Sequence, residues 1–176
     1  MKVRFAWLPP VAVALVAPAP AWATVYLDVE QAQTLLFPGR ALTPLTLTLD
    51  AEQAKAIRQR SGVRVEDHDV RAWRADDGGW FILDHVIGKH ENIDYAVALD
   101  RGGGVVGVEI LQYREAYGEE IRRAGWRAHF LGKHDGDALQ AERDVPLIAG
   151  ATLSCKHVTD GVRRVLALHA LVLAQR

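Results

Sequence analysis

The central part of the chain limits the possible folds more strongly than any other part. Four extended runs of apolar or alternating residues follow one another here, at residues 68–75, 80–87, 93–99 and 105–113. The breaks after the first and third runs are the turn-forming sequences "DDGG" and "DRGGG". Short connections of this kind join antiparallel strands, whereas parallel strands need a crossover of a dozen or more residues. The pattern therefore predicts an antiparallel sheet at the centre of the fold.

Helix and turn signals precede this sheet. Residues 28–37 have the apolar spacing of a short helix, and "LTLTL" at 45–49 alternates like a strand. Asp50 begins a second helix, because Gln53 completes a capping-box arrangement and Gly62 is a typical helix stop. We expect two helices and one strand before the sheet.

The C-terminal part predicts further helices. Residues 119–132 are expected to be helical in part, and a polar loop follows at 134–143. An amphipathic helix begins at Thr152, and its inner face consists of Val158, Val162, Val165, Leu166, His169 and Val172. Cys155 is the only cysteine, so no internal disulfide forms, and we expect its thiol to be buried on this face. Residues 24–176 are thus predicted to form one α+β domain, an antiparallel sheet flanked by helices.

The first 23 residues have the three parts of a secretion signal. Lys2 and Arg4 form a basic start, residues 11–17 are apolar, and "AWA" at 21–23 is a small-x-small cleavage site. The apolar run is shorter than the roughly 20 residues that a membrane-spanning helix needs. We predict export to the periplasm or to the extracytoplasmic face of the cytoplasmic membrane, with an uncleaved membrane anchor as the alternative.

Charge and motif content argue against several classes of function. The formal net charge is −1 for the whole chain, and it becomes about −3 once the signal is removed, so no nucleic-acid partner is expected. The histidines lack the i, i+4 spacing that places two ligands on one helix face, and no "HExxH" accompanies them. No nucleophile, base and acid combination indicates a hydrolase. We therefore predict neither a metal site nor catalytic residues.

The stretch "AGATLSC", residues 149–155, raises a question of function at the start of the last helix. The Thr152 hydroxyl is a competent helix cap. The same place is also suited to a phosphate, because a helix start presents free N–H groups and the positive end of the helix dipole. Gly150 and Ala151 are small enough to let a phosphate approach the backbone. Both interpretations remain open on local grounds.

The surrounding sequence resembles the FMN-binding domain family. "GATLS", preceded by the apolar Leu147 and Ile148, is similar to the family signature before its last helix. Upstream, "YAVALDRGGGVVGVEILQYREAYGEEI" offers a strand pair followed by Glu115 and Gly118 in the place of the family's "E-x-x-G". The resemblance covers residues 80–168 in the family's order. The family includes flavin-carrying subunits of the Rnf complex and of the sodium-translocating NADH:quinone reductase.

The resemblance implies an exported electron-transfer flavoprotein rather than a stand-alone enzyme. It implies FMN joined to Thr152 by a phosphodiester, installed by a flavin transferase, and electron transfer between membrane or periplasmic redox proteins. The cofactor-binding residues that it implies are Leu147, Ile148, Gly150, Ala151, Thr152, Ser154, Glu115 and Gly118. Ser154 is equally well explained as an ordinary first-turn helix residue.

The sequence departs from the family pattern at three places near these residues. Pro146 replaces an acidic residue, Ala149 replaces a serine or threonine, and "EAYG" replaces the common "ETPG". Non-covalent FMN in the same pocket is therefore the alternative to a covalent link. Two other functions stay open: a flavin-dependent reductase of a small substrate, and a sensory or assembly module that keeps the fold without a redox role. The first requires an open pocket, and the second is favoured if Thr152 is a buried cap.

Overall fold

A computed structural model describes residues 24–115 and 117–176 of the chain. The predicted secretion signal lies outside the described residues. One antiparallel sheet of six strands forms the centre, in the order β1-β6-β5-β4-β3-β2. The strands are β1 (Thr24–Val25), β2 (Leu42–Thr48), β3 (Asp69–Ala75), β4 (Trp80–Ile87), β5 (Asn92–Leu99) and β6 (Val105–Tyr113). The predicted α+β class and the predicted antiparallel sheet are confirmed.

Four α-helices accompany the sheet in the described part of the chain: α1 (Val29–Leu36), α2 (Ala51–Ser61), α3 (Ala124–Arg127) and α4 (Thr152–Leu168). Short 3-10 turns at Glu119–Arg122 and Ala128–Phe130 flank α3, and a π-helical turn at His169–Leu173 ends the chain's last helix. The two helices predicted before the central strands, α1 and α2, and the last helix, α4, are confirmed. The segment 119–132 is helical only in short turns, as expected. None of the described helices combines the length and the apolar character needed to cross a bilayer.

The two faces of the sheet carry separate apolar clusters. The face that we call the α4 face includes Tyr95, Val97 and Leu99, and it packs against α4 and α2. The opposite face, the α1 face, includes Phe81, Ala96 and Ala98 and packs against the eight-residue α1. Alternating side chains along one strand point to opposite faces, so β5 contributes to both clusters. Cys155 is fully buried on the α4 face, as predicted.

Strands β3 and β4 separate before β4 ends. Their pairing stops at Arg71 and Leu83, whereas the pairing of β4 with β5 continues to Ile87 and Asn92. The Gly88 N–H donates to the Glu91 carbonyl on the β5 side. Because backbone groups alternate in direction along a strand, odd-numbered residues of β4 point toward β3. The backbone groups of residues 85 and 87 therefore have no partner among the described strands.

Side chains supply the missing hydrogen bonds at this edge. The Arg164 guanidinium donates to the His85 carbonyl at 3.0 Å and to the Asp84 carboxylate at 2.8 Å. His157 Nδ1 lies 2.5 Å from the Ile87 carbonyl, and because a carbonyl oxygen only accepts, this nitrogen carries the proton. The His85 N–H donates to Asp84 Oδ1 at 2.8 Å. Helix α4 thus takes the place of β3 beside the end of β4.

The pair of Asp84 and Arg164 is completed by a buried tyrosine. The Tyr95 hydroxyl donates to Asp84 Oδ2 at 2.7 Å. Burial and the nearby Asp84 carboxylate raise the pKa of Tyr95 well above its usual value, so this hydroxyl keeps its proton. Gly161 of α4 lies directly above, and a Cβ there would come within 2.1 Å of the Tyr95 oxygen. The absence of a side chain at Gly161 lets α4 lie close to the sheet.

Candidate functional site

The loop before α4 is fixed to the core at its first residues. The Trp126 indole N–H donates to the Pro146 carbonyl at 2.8 Å. Leu147 and Ile148 are half-buried and pack against the apolar cluster of the α4 face. The Ala151 N–H donates to the Ile148 carbonyl at 2.9 Å, which closes a tight turn. Gly150 has a φ of 84° within this turn, a conformation that favours glycine.

Helix α4 begins at Thr152, as predicted, but its cap position differs from the sequence expectation. The cap position is occupied by Ala151, and Thr152 is the first residue with helical conformation. The interpretation of Thr152 as the helix cap is therefore wrong, because the turn at Gly150 ends one residue earlier than the capping pattern assumed. Thr152 is exposed, and within the described part of the chain its hydroxyl makes no hydrogen bond to another residue.

The start of α4 also differs from the starts of α1 and α2. Asp28 and Asp50 cap those two helices with complete capping boxes, and each helix has a glutamate in its first turn. Helix α4 has no side-chain cap among the described residues and no acid in its first turn. Lys156, one turn after Thr152, is exposed and adds positive charge. The N–H groups of the first turn of α4 are left without a side-chain cap and can donate to a phosphate. The positive end of the helix dipole and the charge of Lys156 favour an anion at the same place.

The "E-x-x-G" segment contacts the start of α4 through its glycine. Gly118 has a φ of 101°, and a Cβ there would lie 2.4 Å from the Ala151 Cβ and 2.6 Å from the Tyr113 hydroxyl. Both the conformation and the space therefore require glycine. The structure thus brings Gly118 against the residue that precedes Thr152.

Tyr113 joins the same two segments by hydrogen bonds. Its hydroxyl donates to the Tyr117 carbonyl at 2.5 Å and lies 3.0 Å from Ser154 Oγ. Because a phenol has one proton, Ser154 donates in the second bond. Burial raises the pKa of Tyr113, so the phenol stays neutral at physiological pH. Ser154 is 3% exposed, and its buried hydroxyl is satisfied by the hydrogen bond to Tyr113.

Glu115 contacts a different part of the molecule. Its carboxylate accepts hydrogen bonds from the backbone N–H groups of His90 at 2.5 Å and Glu91 at 3.0 Å. A Cβ at Gly88 would lie 2.7 Å from Glu115 Oε1. Burial alone would raise the pKa of Glu115, but the backbone donors of Glu91, His90 and Lys89 outweigh it and lower the pKa. Glu115 therefore fixes the turn between β4 and β5.

Two residues that the sequence did not single out complete this arrangement. Tyr113 links the "E-x-x-G" segment to α4, and His157 links α4 to the turn at Gly88 by a contact of 3.0 Å. The register between β5 and β6 shifts at two places. The alternation of residues along the strand therefore could not predict which face of the sheet the Tyr113 side chain points to. Ala151, Ser154 and Gly118 thus come together, whereas Glu115 reaches the start of α4 only indirectly.

The main cleft lies away from the start of α4, and the described residues show no metal site. A cleft of about 430 Å³ lies where β3 and β4 separate, and it is lined by none of the eight residues predicted to bind the cofactor. In the described ranges, no three His, Cys, Asp or Glu side chains come together to hold a metal ion.

Comparison with known proteins identifies the segment that contains this site. Residues 88–167 match the family model of the FMN-binding domain. The match begins at the turn held by Glu115 and runs through most of α4. It confirms the resemblance suggested by "GATLS" and by the "E-x-x-G" segment. No curated protein matches the sequence closely enough to count as a relative.

Proposed function

Because residues 88–167 match the family model of the FMN-binding domain, we propose that this chain binds FMN at the start of α4 and transfers electrons between redox partners. The observation that carries the proposal is the exposed Thr152 at a helix start with no side-chain cap among the described residues, inside the matched segment. We also propose that residues 1–23 direct export, so that these partners are membrane or periplasmic proteins.

The residues around Thr152 fit a flavin phosphate. The N–H groups of the first turn of α4 point outward from the helix start and provide hydrogen-bond donors. A Cβ at Gly150 would meet nothing within 4 Å, so the space beside the loop is open. Lys156 lies one turn further along and supplies a positive charge for the phosphate. Leu147 and Ile148 offer apolar surface close to the loop.

A covalent link is the finer part of the proposal. The Thr152 hydroxyl is exposed and thus accessible to a flavin transferase, which Ser154, at 3% exposure, is not. In the proposed link, the Thr152 oxygen attacks the flavin-bearing phosphorus of a flavin nucleotide donor that carries a phosphoanhydride bond. The new P–O bond to Thr152 replaces that anhydride bond, the second phosphate group of the donor leaves with its nucleotide, and the hydroxyl proton passes to solvent. Bound FMN accepts and donates electrons singly or in pairs, and the protein supplies attachment, orientation and electrostatic tuning.

The geometry favours electron transfer over the two alternatives. A reductase of a small substrate needs a pocket beside the flavin, but the cleft of about 430 Å³ lies at the separation of β3 and β4. A module without a redox role would be favoured by a buried capping threonine. Thr152 is instead exposed and is not the cap.

The test is covalent loading during export. The full chain is expressed together with a flavin transferase, and the protein is precipitated with acid to remove unbound flavin. We expect the pellet to retain flavin absorbance and its mass to increase by one FMN moiety. Thr152→Val removes the hydroxyl and should lose the acid-stable flavin. Thr152→Ser keeps a hydroxyl and should retain it.

The control is Thr46→Val, which removes an exposed threonine hydroxyl from the edge strand β2. It should load like the wild type. Acid-stable flavin that persists in Thr152→Val would overturn attachment at this residue. A wild-type protein that binds FMN only reversibly would show the non-covalent alternative, and one that binds no FMN would overturn the proposed function.

A further inference from the structure

Tyr117 is an exposed aromatic residue whose carbonyl is held by a hydrogen bond. The residue is 80% exposed, more than any other large hydrophobic residue in the described part of the chain. Its carbonyl accepts the bond of 2.5 Å from the Tyr113 hydroxyl. The next residue is Gly118, which lies against Ala151. The ring is therefore open to solvent, although the backbone is held at the Tyr117 carbonyl and at the following Gly118.

The two anchors of Tyr117 lead to the residues around Thr152. Gly118 contacts Ala151, directly before Thr152, and Tyr113 contacts Ser154, two residues after it. The first turn of α4 also presents Leu153, which is 41% exposed. Tyr117 and Leu153 are thus exposed residues on two segments that meet at the start of α4. Apolar groups in such a position expose area that an aromatic ligand can cover.

We propose that Tyr117 stacks against the isoalloxazine ring of FMN held at Thr152 and covers one side of it. This inference rests on the proposed function and concerns a position where the sequence has "EAYG" rather than the common "ETPG". The tyrosine would orient the flavin and shield it from water. Its hydroxyl is not needed for stacking, so the ring alone provides this contact.

Fluorescence of the loaded protein tests the contact without any measurement of activity. A phenol in contact with excited flavin donates an electron to it, and the electron returns without emission of light, so stacking on tyrosine quenches the flavin. Tyr117→Leu should increase flavin emission and also increase its quenching by iodide, because the covering ring is lost. Tyr117→Phe removes the oxidisable phenol but keeps the ring. It should increase emission while iodide quenching stays as in the wild type.

Loading and folding are measured on the same samples. Acid-stable flavin per chain should match the wild type in both variants, and the melting temperature should be unchanged because the residue is 80% exposed. Where FMN binds reversibly, Tyr117→Leu should weaken binding roughly two- to tenfold. Leu131→Ala is the control, since Leu131 is 50% exposed and belongs to another turn.

The outcomes separate this inference from the proposed function. Wild-type protein that takes up no FMN overturns both. Loaded wild type and Tyr117→Leu with equal emission and equal iodide quenching overturn the stacking role alone, and FMN binding then stands. If Tyr117→Leu changes only self-association or binding to a redox protein, the ring serves a protein interface and the stacking role is likewise overturned.

Discussion

The two faces of the sheet are covered in different ways. The α4 face lies under a 17-residue helix that is tied to β4 by Arg164 and His157. The α1 face lies under an eight-residue helix and has alanines at Ala96 and Ala98. The candidate flavin site belongs to the first of these, at the start of α4. The difference shows that the site is built on the more firmly connected face.

Gly161 and Gly107 show how the packing of the two faces differs. A Cβ at Gly161 would come within 2.1 Å of the Tyr95 hydroxyl, which is held by Asp84. A Cβ at Gly107 would come within 2.3 Å of Leu36 Cδ2, the free end of a flexible side chain of α1. The first neighbour has no room to move, whereas the second can change rotamer. The α4 face should therefore tolerate less change than the α1 face.

Loss of Arg164 should have the largest effect on stability. The side chains of Arg164 and Asp84 are only 14% and 19% exposed, and Arg164→Met leaves the Asp84 carboxylate without its cation. We expect the free energy of unfolding to fall by about 3 kcal/mol, measured by urea denaturation of the apoprotein. Arg40→Met is the control, because Arg40 pairs with Asp76 and Asp77 at the surface and should cost less than about 1 kcal/mol. Equal losses in the two variants would refute the special role of the α4 face.

Gly161→Ala should have the next largest effect. Alanine gains about 1 kcal/mol of helix propensity, but the collision with Tyr95 should outweigh it and give a net loss of about 2 kcal/mol. Gly107→Ala makes the matched change on the α1 face and should alter stability by no more than about 0.5 kcal/mol. Denaturation midpoints of both variants give the comparison. A Gly161→Ala protein as stable as Gly107→Ala would show that α4 adjusts as easily as α1.

Glu115→Gln should have the smallest effect and a distinct dependence on pH. The folded-state pKa of Glu115 lies below its usual value of 4.5, so its stabilisation is present above that pH and is lost as the pH falls through the folded-state pKa. At pH 7 we expect Glu115→Gln to lose about 1 kcal/mol. The difference from the wild type should shrink toward acid pH, as followed by thermal melting.

The control for this change is Glu91→Gln, an exposed glutamate in the same turn. It should stay within about 0.5 kcal/mol of the wild type at pH 7. A Glu115→Gln protein whose stability differs from the wild type by the same amount at every pH would argue against a role for the ionised carboxylate in holding the turn.

Local signals in the sequence were sufficient for most of the fold. The turns between the central strands depend on only a few neighbouring residues, and so do the capping boxes that begin with Asp28 and Asp50. Such features can therefore be predicted from the local sequence. The start of the last helix at Thr152 was predicted correctly, but the cap residue was not, since its position depends on the turn at Gly150.

Part of the candidate site depends on contacts between distant segments. Glu115 was grouped with Gly118 by the family resemblance, but its carboxylate is directed to the turn at His90 and Glu91. The bond between Tyr113 and Ser154 joins residues 41 positions apart. Such contacts are set by strand register and by the path of α4, and neither is encoded in a short pattern.

The edge of β4 between residues 84 and 87 has a consequence for association between chains. Side chains of α4, rather than a neighbouring strand, satisfy the carbonyls of His85 and Ile87. An unsatisfied strand edge is a template for pairing with a strand of another molecule. Helix α4 thus protects the protein from edge-to-edge aggregation, and a chain in which this helix is loosened should aggregate before it unfolds completely.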